Sequence, residues 1–350
     1  MTKDSSLQSI QNYYGEVLAS SKDLKTSACC PTEAMPQYLR PLVMDIHEEI
    51  RDRFYGCGSP IPGALNGCTV LDLGCGTGRD AYLLSRLVGE QGRVIGIDMT
   101  AEQLALARKH QAWHVERYGF AKSNVEFHEG FIEDLAALGI ADNSVDIVVS
   151  NCVLNLSPEK ARVFKEIFRV LKPGGELYFS DVFADRRIPI ALRNDPVLLG
   201  ECLSGAMYIE DFRRTLADIG CKDARIMSSN LLTVEDVELN AKIGMVGFTS
   251  KTVRAFKIDL EDKCEDFGQV AYYRGGINEC PVFFDLDDHH RFEINKPMLV
   301  CGNTADMILQ SRFAKYFEIL GEKATHYGIF DCAPDTGATA TASSASGACC

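Results

Sequence analysis

Cys152 in Ser150-Asn151-Cys152-Val153 and Cys202 in Gly200-Glu201-Cys202-Leu203 share a chain with the glycine loop Asp72-Leu73-Gly74-Cys75-Gly76-Thr77-Gly78. A loop of that kind between a strand and a helix lets backbone approach a ligand closely. Its leading carboxylate, Asp72, would repel a pyrophosphate but suits a cationic ligand. Asp98 falls at the end of the following strand, the place for a carboxylate that accepts from ribose hydroxyls, and Met99 would lie beside an adenine. Together these features predict a site for a sulfonium methyl donor, S-adenosylmethionine, on Asp72, Gly74, Gly76, Asp98 and Met99. Transfer of a methyl group to carbon, nitrogen or oxygen requires no thiol at the acceptor. A soft metalloid such as trivalent arsenic does, because soft centres select thiolate ligands. The expected acceptor is an atom that cysteines hold.

The elements that must position these residues can be read from periodicity. Residues 70–73 form a short apolar strand, the glycine loop follows, and a helix runs from about 80 to 88. A strand at 94–98, a helix over 101–118 and strands at 125–128, 145–149 and 176–180 continue the pattern. Ser157-Pro158 reads as an N-cap with proline at the first helical position, opening a helix to about residue 171 that Lys172-Pro173-Gly174-Gly175 stops. Strands alternating with helices predict an α/β fold with a doubly wound, mostly parallel sheet over 61–205. Residues 1–60 read as a helical region, with helices at 9–20 and 42–54 flanking the thiol loop Ser27-Ala28-Cys29-Cys30-Pro31. Residues 206–248, with a helix at 211–219 and a strand before 232, are expected as acceptor-site region and linker. Residues 249–331, with turns such as Arg274-Gly275-Gly276, predict a smaller α+β domain. Residues 332–350 are Ala/Ser/Thr/Gly-rich and predict a disordered tail ending in Cys349-Cys350.

Composition bounds the partners. A net charge of −13 disfavours nucleic acid and an anionic membrane surface, both of which need a positive footprint. No apolar run approaches the roughly 20 residues of a spanning helix. Met1-Thr2-Lys3-Asp4-Ser5 lacks the order of a secretory signal, so the expected location is cytoplasmic. There the 14 cysteines should rest as thiols. None forms a C-x-x-C, which argues against a zinc ribbon and predicts no metal cofactor. Cys75, inside the donor loop, is counted with the donor site by position, though its side chain is expected to pack. Cys68, Cys221, Cys264, Cys280, Cys301 and Cys332 carry no motif and are expected as core or surface thiols. His289-His290 after Asp287-Asp288 is expected as a solvated turn, since adjacent residues seldom point at one metal.

Over roughly 12–332 the chain resembles the arsenite methyltransferases. The resemblance lies in Arg53-Phe54-Tyr55-Gly56-Cys57-Gly58, the loop from Val70 to Asp80, Gly96-Ile97-Asp98-Met99-Thr100, and Ser150-Asn151-Cys152-Val153-Leu154-Asn155-Leu156. It continues in Gly174-Gly175-Glu176-Leu177-Tyr178-Phe179-Ser180-Asp181 and Gly200-Glu201-Cys202-Leu203-Ser204-Gly205-Ala206. The donor loop is generic to class I methyltransferases, whereas the three cysteine segments are specific. The resemblance implies that Cys152 and Cys202 hold trivalent arsenic as substrate. It gives Cys57, and one of Cys29-Cys30 (Cys29 in the catalytic set), to redox and delivery, with Cys57 counted among the arsenic ligands. It places Tyr55 over the donor's methionine part and Ile132, Glu133 and Asn151 around the donor.

The implied chemistry is in-line displacement by the arsenic lone pair, with positioning as the main device and no general base. Methylation oxidises arsenic, and nearby thiols return two electrons by forming a disulfide that glutathione or thioredoxin then reduces. The implied substrates are arsenite and methylarsenite, free or as thiol conjugates, and the products are mono- and dimethylated arsenicals. Two other functions fit the residues. A small-molecule C- or O-methyltransferase would leave Cys152 and Cys202 dispensable. A thiol-based metalloid or zinc sensor would not need the intact set of Asp72, Gly74, Gly76 and Asp98.

Overall fold

The computed structural model describes residues 35–54, 56–193, 195, 198–199, 202–234 and 236–332. The expectations placed on the helix at 9–20, on Cys29 and Cys30, on Tyr55 and on the tail from 333 with Cys349-Cys350 lie outside the described residues. Two short helices, α1 (Leu39–Met44) and α2 (Glu48–Arg51), lead to the central sheet. Its strands and helices alternate as β1 (Thr69–Leu73), α3 (Arg79–Val88), β2 (Arg93–Asp98), α4 (Ala101–Lys109), α5 (Gln111–Tyr118), β3 (Val125–Glu129), β4 (Val145–Asn151), α6 (Lys160–Val170) and β5 (Leu171–Ala184). Then come β6 (Met207–Tyr208), α7 (Ile209–Ala217), β7 (Ala224–Leu232), α8 (Val237–Ile243) and β8 (Phe248–Phe256).

The strand order is β3-β2-β1-β4-β5-β8-β7, parallel as far as β5 and antiparallel for β8 and β7. Helices cover both faces, so β1 and β4 are buried along most of their length, with apolar Val70, Leu71, Ile147, Val148 and Val149 at their centres. One apolar cluster packs β1, β2 and β4 under α3 (Val70, Leu83, Leu84, Val94, Ile147), and another packs the opposite face under α6 and α7 (Phe164, Ile167, Phe179, Phe212). The order reverses between β1 and β4. Ligands of open α/β sheets bind outside the carboxyl ends of strands at such a point.

Four expectations shift. The helix expected over 42–54 is split, since α1 ends at Met44 and α2 begins only at Glu48, where the His47 ring caps it by accepting from the Glu49 amide. The helix expected over 101–118 breaks at His110, which ends α4 and begins α5 while its ring stacks on His47 and meets Glu49 at 2.7 Å. The helix expected from Ser157-Pro158 begins only at Lys160, since Glu159 has non-helical backbone, although the Ser157 hydroxyl still accepts from the Glu159 amide as it donates to Glu133. The sheet does not end at residue 205. β6, β7 and β8 extend it: residues 206–248 build β6, β7 and two helices rather than a linker, and β8 comes from the range expected for the C-terminal domain.

The C-terminal unit begins where β8 leaves the sheet. It holds β9 (Glu265–Asp266), β10 (Gln269–Tyr273), β11 (Phe283–Asp285), β12 (Arg291–Glu293), β13 (Pro297–Val300), α9 (Gly302–Leu309), β14 (Phe317–Leu320) and β15 (Gly328–Ile329). β10 is the centre of an antiparallel three-stranded sheet, and Phe256, Tyr273, Phe284, Phe313 and Phe317 fill its core. Buried Arg254 joins the unit to the sheet, pairing with Glu176 and donating to the carbonyls of Asp285 and Leu286. Cys332, expected at the start of the tail, follows β15 in the described part and is half-buried.

Candidate active site

β1 delivers Asp72 to the end of the sheet, and the chain then turns through residues 74–78 into α3. Gly74, Gly76 and Gly78 all take positive φ, and Gly78 caps the helix in the left-handed conformation. A Cβ on Gly74 would collide with Val153 at 2.2 Å, whereas one on Gly76 would meet nothing within 4 Å. Backbone of the loop therefore packs against the β4 exit on one side and faces an open pocket on the other. From the neighbouring strand, Asp98 braces the loop by accepting from the amides of Gly76 and Thr100, each at 2.8 Å.

One pocket is lined by Asp72, Gly74, Cys75, Gly76, Asp98, Met99, Ile132, Glu133 and Asn151, all nine of the described residues expected around the donor. Its wall also holds Phe54, Arg79, Asp80, Gln103 and Phe131, which the sequence reading did not assign. Arg79 and Asp80 stand directly after the loop, and Phe54 stands in the Tyr-Gly-Cys-Gly segment, so position alone could have flagged them. The Arg79 guanidinium lies 3.5 Å over the Phe54 ring. Asp80 accepts from Asn151 at 2.9 Å.

Electrostatically the pocket is acidic and under-satisfied. Asp72 Oδ2, Asp80 Oδ1 and Asn151 Oδ1 are buried without a hydrogen-bond partner. Burial first, and then the charges of Asp80 and Asp98, push Asp72 well above the usual carboxylate range. Burial also raises Asp98, against the lowering effect of its amide donors. A ligand with a cationic amino group and hydroxyl donors would relieve the repulsion and fill the orphaned acceptors. Those are the groups of S-adenosylmethionine, and the open side of Gly76 gives its bulk room.

Cys152 lines the same pocket where β4 ends. There β5 runs on to Ala184, and β6 pairs with its last residues in the place that β4 has left. The loop entering β6 carries Cys202. Its Sγ donates to the Cys152 carbonyl at 3.4 Å. From the N-terminal side, Cys57 arrives on a segment pressed against the sheet. A Cβ on Gly56 would sit 2.5 Å from Asn151 Nδ2, and one on Gly58 would sit 2.5 Å from the Ser180 hydroxyl. Asn151 and Ser250 hold this segment by its carbonyls at Gly58 and Cys57.

Cys57 and Cys152 are bonded to each other as a disulfide, with Cα atoms 5.8 Å apart. One expectation changes with that bond, since the thiols do not all rest reduced. Close approach of the two loops puts Cys57 on Cys152 itself, beside the pair with which it is counted as an arsenic ligand. Cys202 lies in the same buried apolar cluster with Val182, Ile188, Leu198 and Leu203. Cys152 and Cys202 both have left-handed backbone, φ 57° and 59°. Non-glycine residues rarely adopt it, and such strain gathers at functional sites.

Asp181, given no role from sequence, has a carboxylate oxygen within 4.8 Å of the Cys57 and Cys152 sulfurs. Burial raises it to about 7, although amides of Val182 and Asn155 donate to it. Lys160 nearby is pushed down to about 8 by burial, with Asp181 and Cys202 opposing the shift.

Two further expectations are corrected. His290 is buried, not on a solvated turn, because its Nδ1 lies 2.8 Å from the Asp287 carboxylate, which in turn pairs with buried Arg225. Cys264, Cys301 and Cys332 are not unrelated thiols, since their sulfurs lie within 4.8 Å of one another. No helix among the described residues is long and apolar enough to cross a membrane.

Comparison with known proteins places the chain among methyltransferases. A methyltransferase-domain family matches residues 64–220, and the arsenite methyltransferase C-terminal domain family matches residues 267–350. An arsenite methyltransferase of Aquipseudomonas alcaligenes is 52% identical over 325 residues, covering 93% of each chain. The Homo sapiens arsenite methyltransferase is 43% identical over 328 residues, 92% of this chain and 86% of that one. Among solved structures, an arsenic (III) S-adenosylmethionine methyltransferase from Chlamydomonas reinhardtii superposes with a TM-score of 0.82. It is 50% identical, and the match covers 85% of this chain and all of that one.

Proposed function

The chain belongs to the arsenite methyltransferase family, and from that premise we propose that Cys57, Cys152 and Cys202 present trivalent arsenic to the methyl donor across the wall they share with its pocket. The overall activity is S-adenosylmethionine-dependent methylation of arsenic, a methyltransferase of class 2.1.1. The observation that carries the residue assignment is that Cys152 belongs at once to the donor pocket and to the cysteine cluster.

When bound, S-adenosylmethionine supplies an electrophilic methyl group on sulfur. Asp98 would accept from its ribose hydroxyls, and Asp72 with Asp80 would face its amino group. Met99, Ile132, Glu133 and Asn151 would complete the walls, and the family resemblance assigns Tyr55 to the methionine part. Sulfur ligands hold arsenic with its lone pair on the open side, and alignment of that pair with the methyl carbon is the catalytic device. The apolar lining of the cysteine cluster excludes water from the approach. No base has work to do, since arsenic loses no proton.

As the new arsenic–carbon bond forms, the donor's carbon–sulfur bond breaks and its electron pair leaves with sulfur as the neutral thioether; the arsenic lone pair is spent and the metalloid is oxidised by two electrons. Two thiols return those electrons by closing a disulfide, and Cys57 and Cys152, close enough to be bonded to each other, are the pair that supports this reading. A thiol reductant, glutathione or thioredoxin, reopens it. Cys29 would deliver arsenite and relay electrons. Arsenite and then methylarsenite, free or as thiol conjugates, are the substrates. They give mono- and dimethylated products in the cytoplasm without a metal cofactor.

The test is incubation of purified protein with arsenite, donor and thiol, followed by separation of arsenic species. Methylated arsenic that requires added thiol supports the reading. Methylation unaffected by Cys152→Ser or Cys202→Ser overturns it.

A further inference from the structure

A second thiol cluster lies in the C-terminal unit, built from three separate elements. Cys264 precedes β9, Cys301 caps α9 and Cys332 follows β15. The β9–β15 ladder pairs Gly328 with Asp266 and Ile329 with Glu265. The Phe330 amide then donates to the Cys264 carbonyl at 2.7 Å, which sets Cys332 beside Cys264. Cys301 enters from the other side, at the end of β13, and the three sulfurs fall within 4.8 Å of one another.

The surroundings suit thiolate sulfur. Cys301 Sγ accepts from the Thr304 amide at 3.4 Å and lies 3.3 Å from the Thr304 hydroxyl. Arg225 Nη2 stands 3.9 Å away, fixed by Asp223 at 2.7 Å and with its Nη1 on Asp287 at 3.0 Å. Cys301 is buried, whereas Cys264 and Cys332 are half-buried. A cleft of about 280 Å³ reaches Cys264 between Lys222, Asp262 and Asn303. Among the described residues no histidine, carboxylate or fourth cysteine joins the cluster. Zinc in a structural site takes four protein ligands in a tetrahedron. A trivalent metalloid is satisfied by three soft sulfurs, its lone pair taking the fourth direction.

We propose that Cys264, Cys301 and Cys332 form a second trivalent-metalloid site, which binds arsenite as a tris-thiolate away from the methyl-donor pocket. Arsenite, As(OH)₃, condenses with three thiols to give three arsenic–sulfur bonds and three waters, with no change of oxidation state. Occupancy ties β9, α9 and the segment after β15 together, so the site makes the C-terminal unit firmer when arsenite is present. The inference does not rest on the methyl-transfer reading, since it needs only the three sulfurs.

Arsenic content is the direct measure. Full-length reduced protein carrying Cys152→Ser and Cys202→Ser is equilibrated with sodium arsenite, desalted and analysed. Adding Cys264→Ser, Cys301→Ser or Cys332→Ser is expected to remove one equivalent of bound arsenic. The change should also abolish an arsenite-induced rise in melting temperature. If buried Cys301→Ser does not fold, the half-buried Cys332→Ser carries the same comparison. In the otherwise native protein, Cys332→Ser should methylate arsenite at the wild-type rate. Unchanged arsenic content in all the folded variants overturns the proposal. So does retention of zinc in preference to arsenite at these sulfurs, or loss of methylation in Cys332→Ser.

Discussion

On the donor side of the site, left-handed backbone falls on Gly74, Gly76 and Gly78, with φ of 71°, 53° and 88°. On the thiol side it falls on Cys152 and Cys202, with φ of 57° and 59°. Glycine takes this conformation at little steric cost, whereas a side chain there costs roughly 1–2 kcal/mol. The donor loop gives up its side chains so that backbone can reach a ligand. The cysteine loops bear the strain because the sulfur itself is the ligand. Each half places its residues where a strand leaves the sheet, β1 for the donor and β4 for the acceptor, so the two meet at Cys152. Where backbone does the binding, the fold selects glycine, and where a side chain does it, the fold tolerates strain.

The largest expected effects separate the halves by activity. Cys152→Ser and Cys202→Ser replace soft sulfur with hard oxygen and should reduce methylation of both arsenite and methylarsenite below detection. Cys202→Ser should leave donor affinity, measured by calorimetry, unchanged. Cys57→Ser should abolish methylation of arsenite but spare part of that of methylarsenite, in which carbon already fills one position. Arsenic speciation on the two substrates reads the pattern. Equal loss on both substrates in all three variants would merge Cys57 into one undivided site, as its bond to Cys152 already suggests.

The second contrast is in buried charge. Both halves bury carboxylates, but a cationic ligand would relieve Asp72 and Asp98, whereas Asp181 sits beside sulfurs. Burial raises Asp181 from 3.8 to about 7. The folded state therefore holds its proton more tightly than the unfolded chain. That contribution is fully present below pH 4 and is lost as pH rises through 7. At most it amounts to about 4 kcal/mol. Urea unfolding of the reduced protein between pH 5 and pH 8 should show this fall in wild type and a flatter profile in Asp181→Asn. Parallel profiles would remove Asp181 as the titrating group.

A smaller effect tests the donor half alone. Asp98 holds the Gly76 and Thr100 amides and is assigned to the ribose. Asp98→Ala should lose hydrogen bonds to a charged acceptor, weakening donor binding by about 1.5–3 kcal/mol for each one lost. Calorimetry that finds native affinity would detach Asp98 from the donor.

The same contrast explains what the sequence could carry. Asp72, the glycines and Asp98 lie within one strand–turn–helix and the end of its neighbouring strand, so local order placed them together, whereas Ile132, Glu133 and Asn151 come from farther along the chain. Asp80 stands within reach of the same local order, but its pairing with Asn151 is not local, because Asn151 comes from β4. The cysteines of the acceptor site were legible through family resemblance. Their pairing was not, because it depends on how closely Gly56 and Gly58 approach Asn151 and Ser180. Cys264, Cys301 and Cys332 carry no motif at all; a ladder of two residue pairs brings Cys264 to Cys332, and the junction of β13 and α9 adds Cys301. Burial of His290 was hidden for the same reason, since Arg225 reaches Asp287 from β7.

The smallest prediction reads the strain itself. At a buried position with ordinary backbone, such as Cys221, alanine should be more stable than glycine. It keeps a buried methyl group worth about 0.8 kcal/mol and loses less chain entropy on folding. At Cys202 the same comparison meets a φ of 59°, which costs alanine roughly 1–2 kcal/mol and glycine little. The preference for alanine over glycine should therefore shrink by about that amount at 202, vanishing or reversing, although both variants are inactive. On the donor side, Gly76→Ala introduces the strain with no clash within 4 Å, and Gly74→Ala adds a collision with Val153 at 2.2 Å. Stability should fall in both, and further in Gly74→Ala. Denaturant midpoints at constant slope supply all four comparisons. If alanine is preferred as strongly at 202 as at 221, the cysteine is not strained, and the proposed difference between the two halves of the site fails.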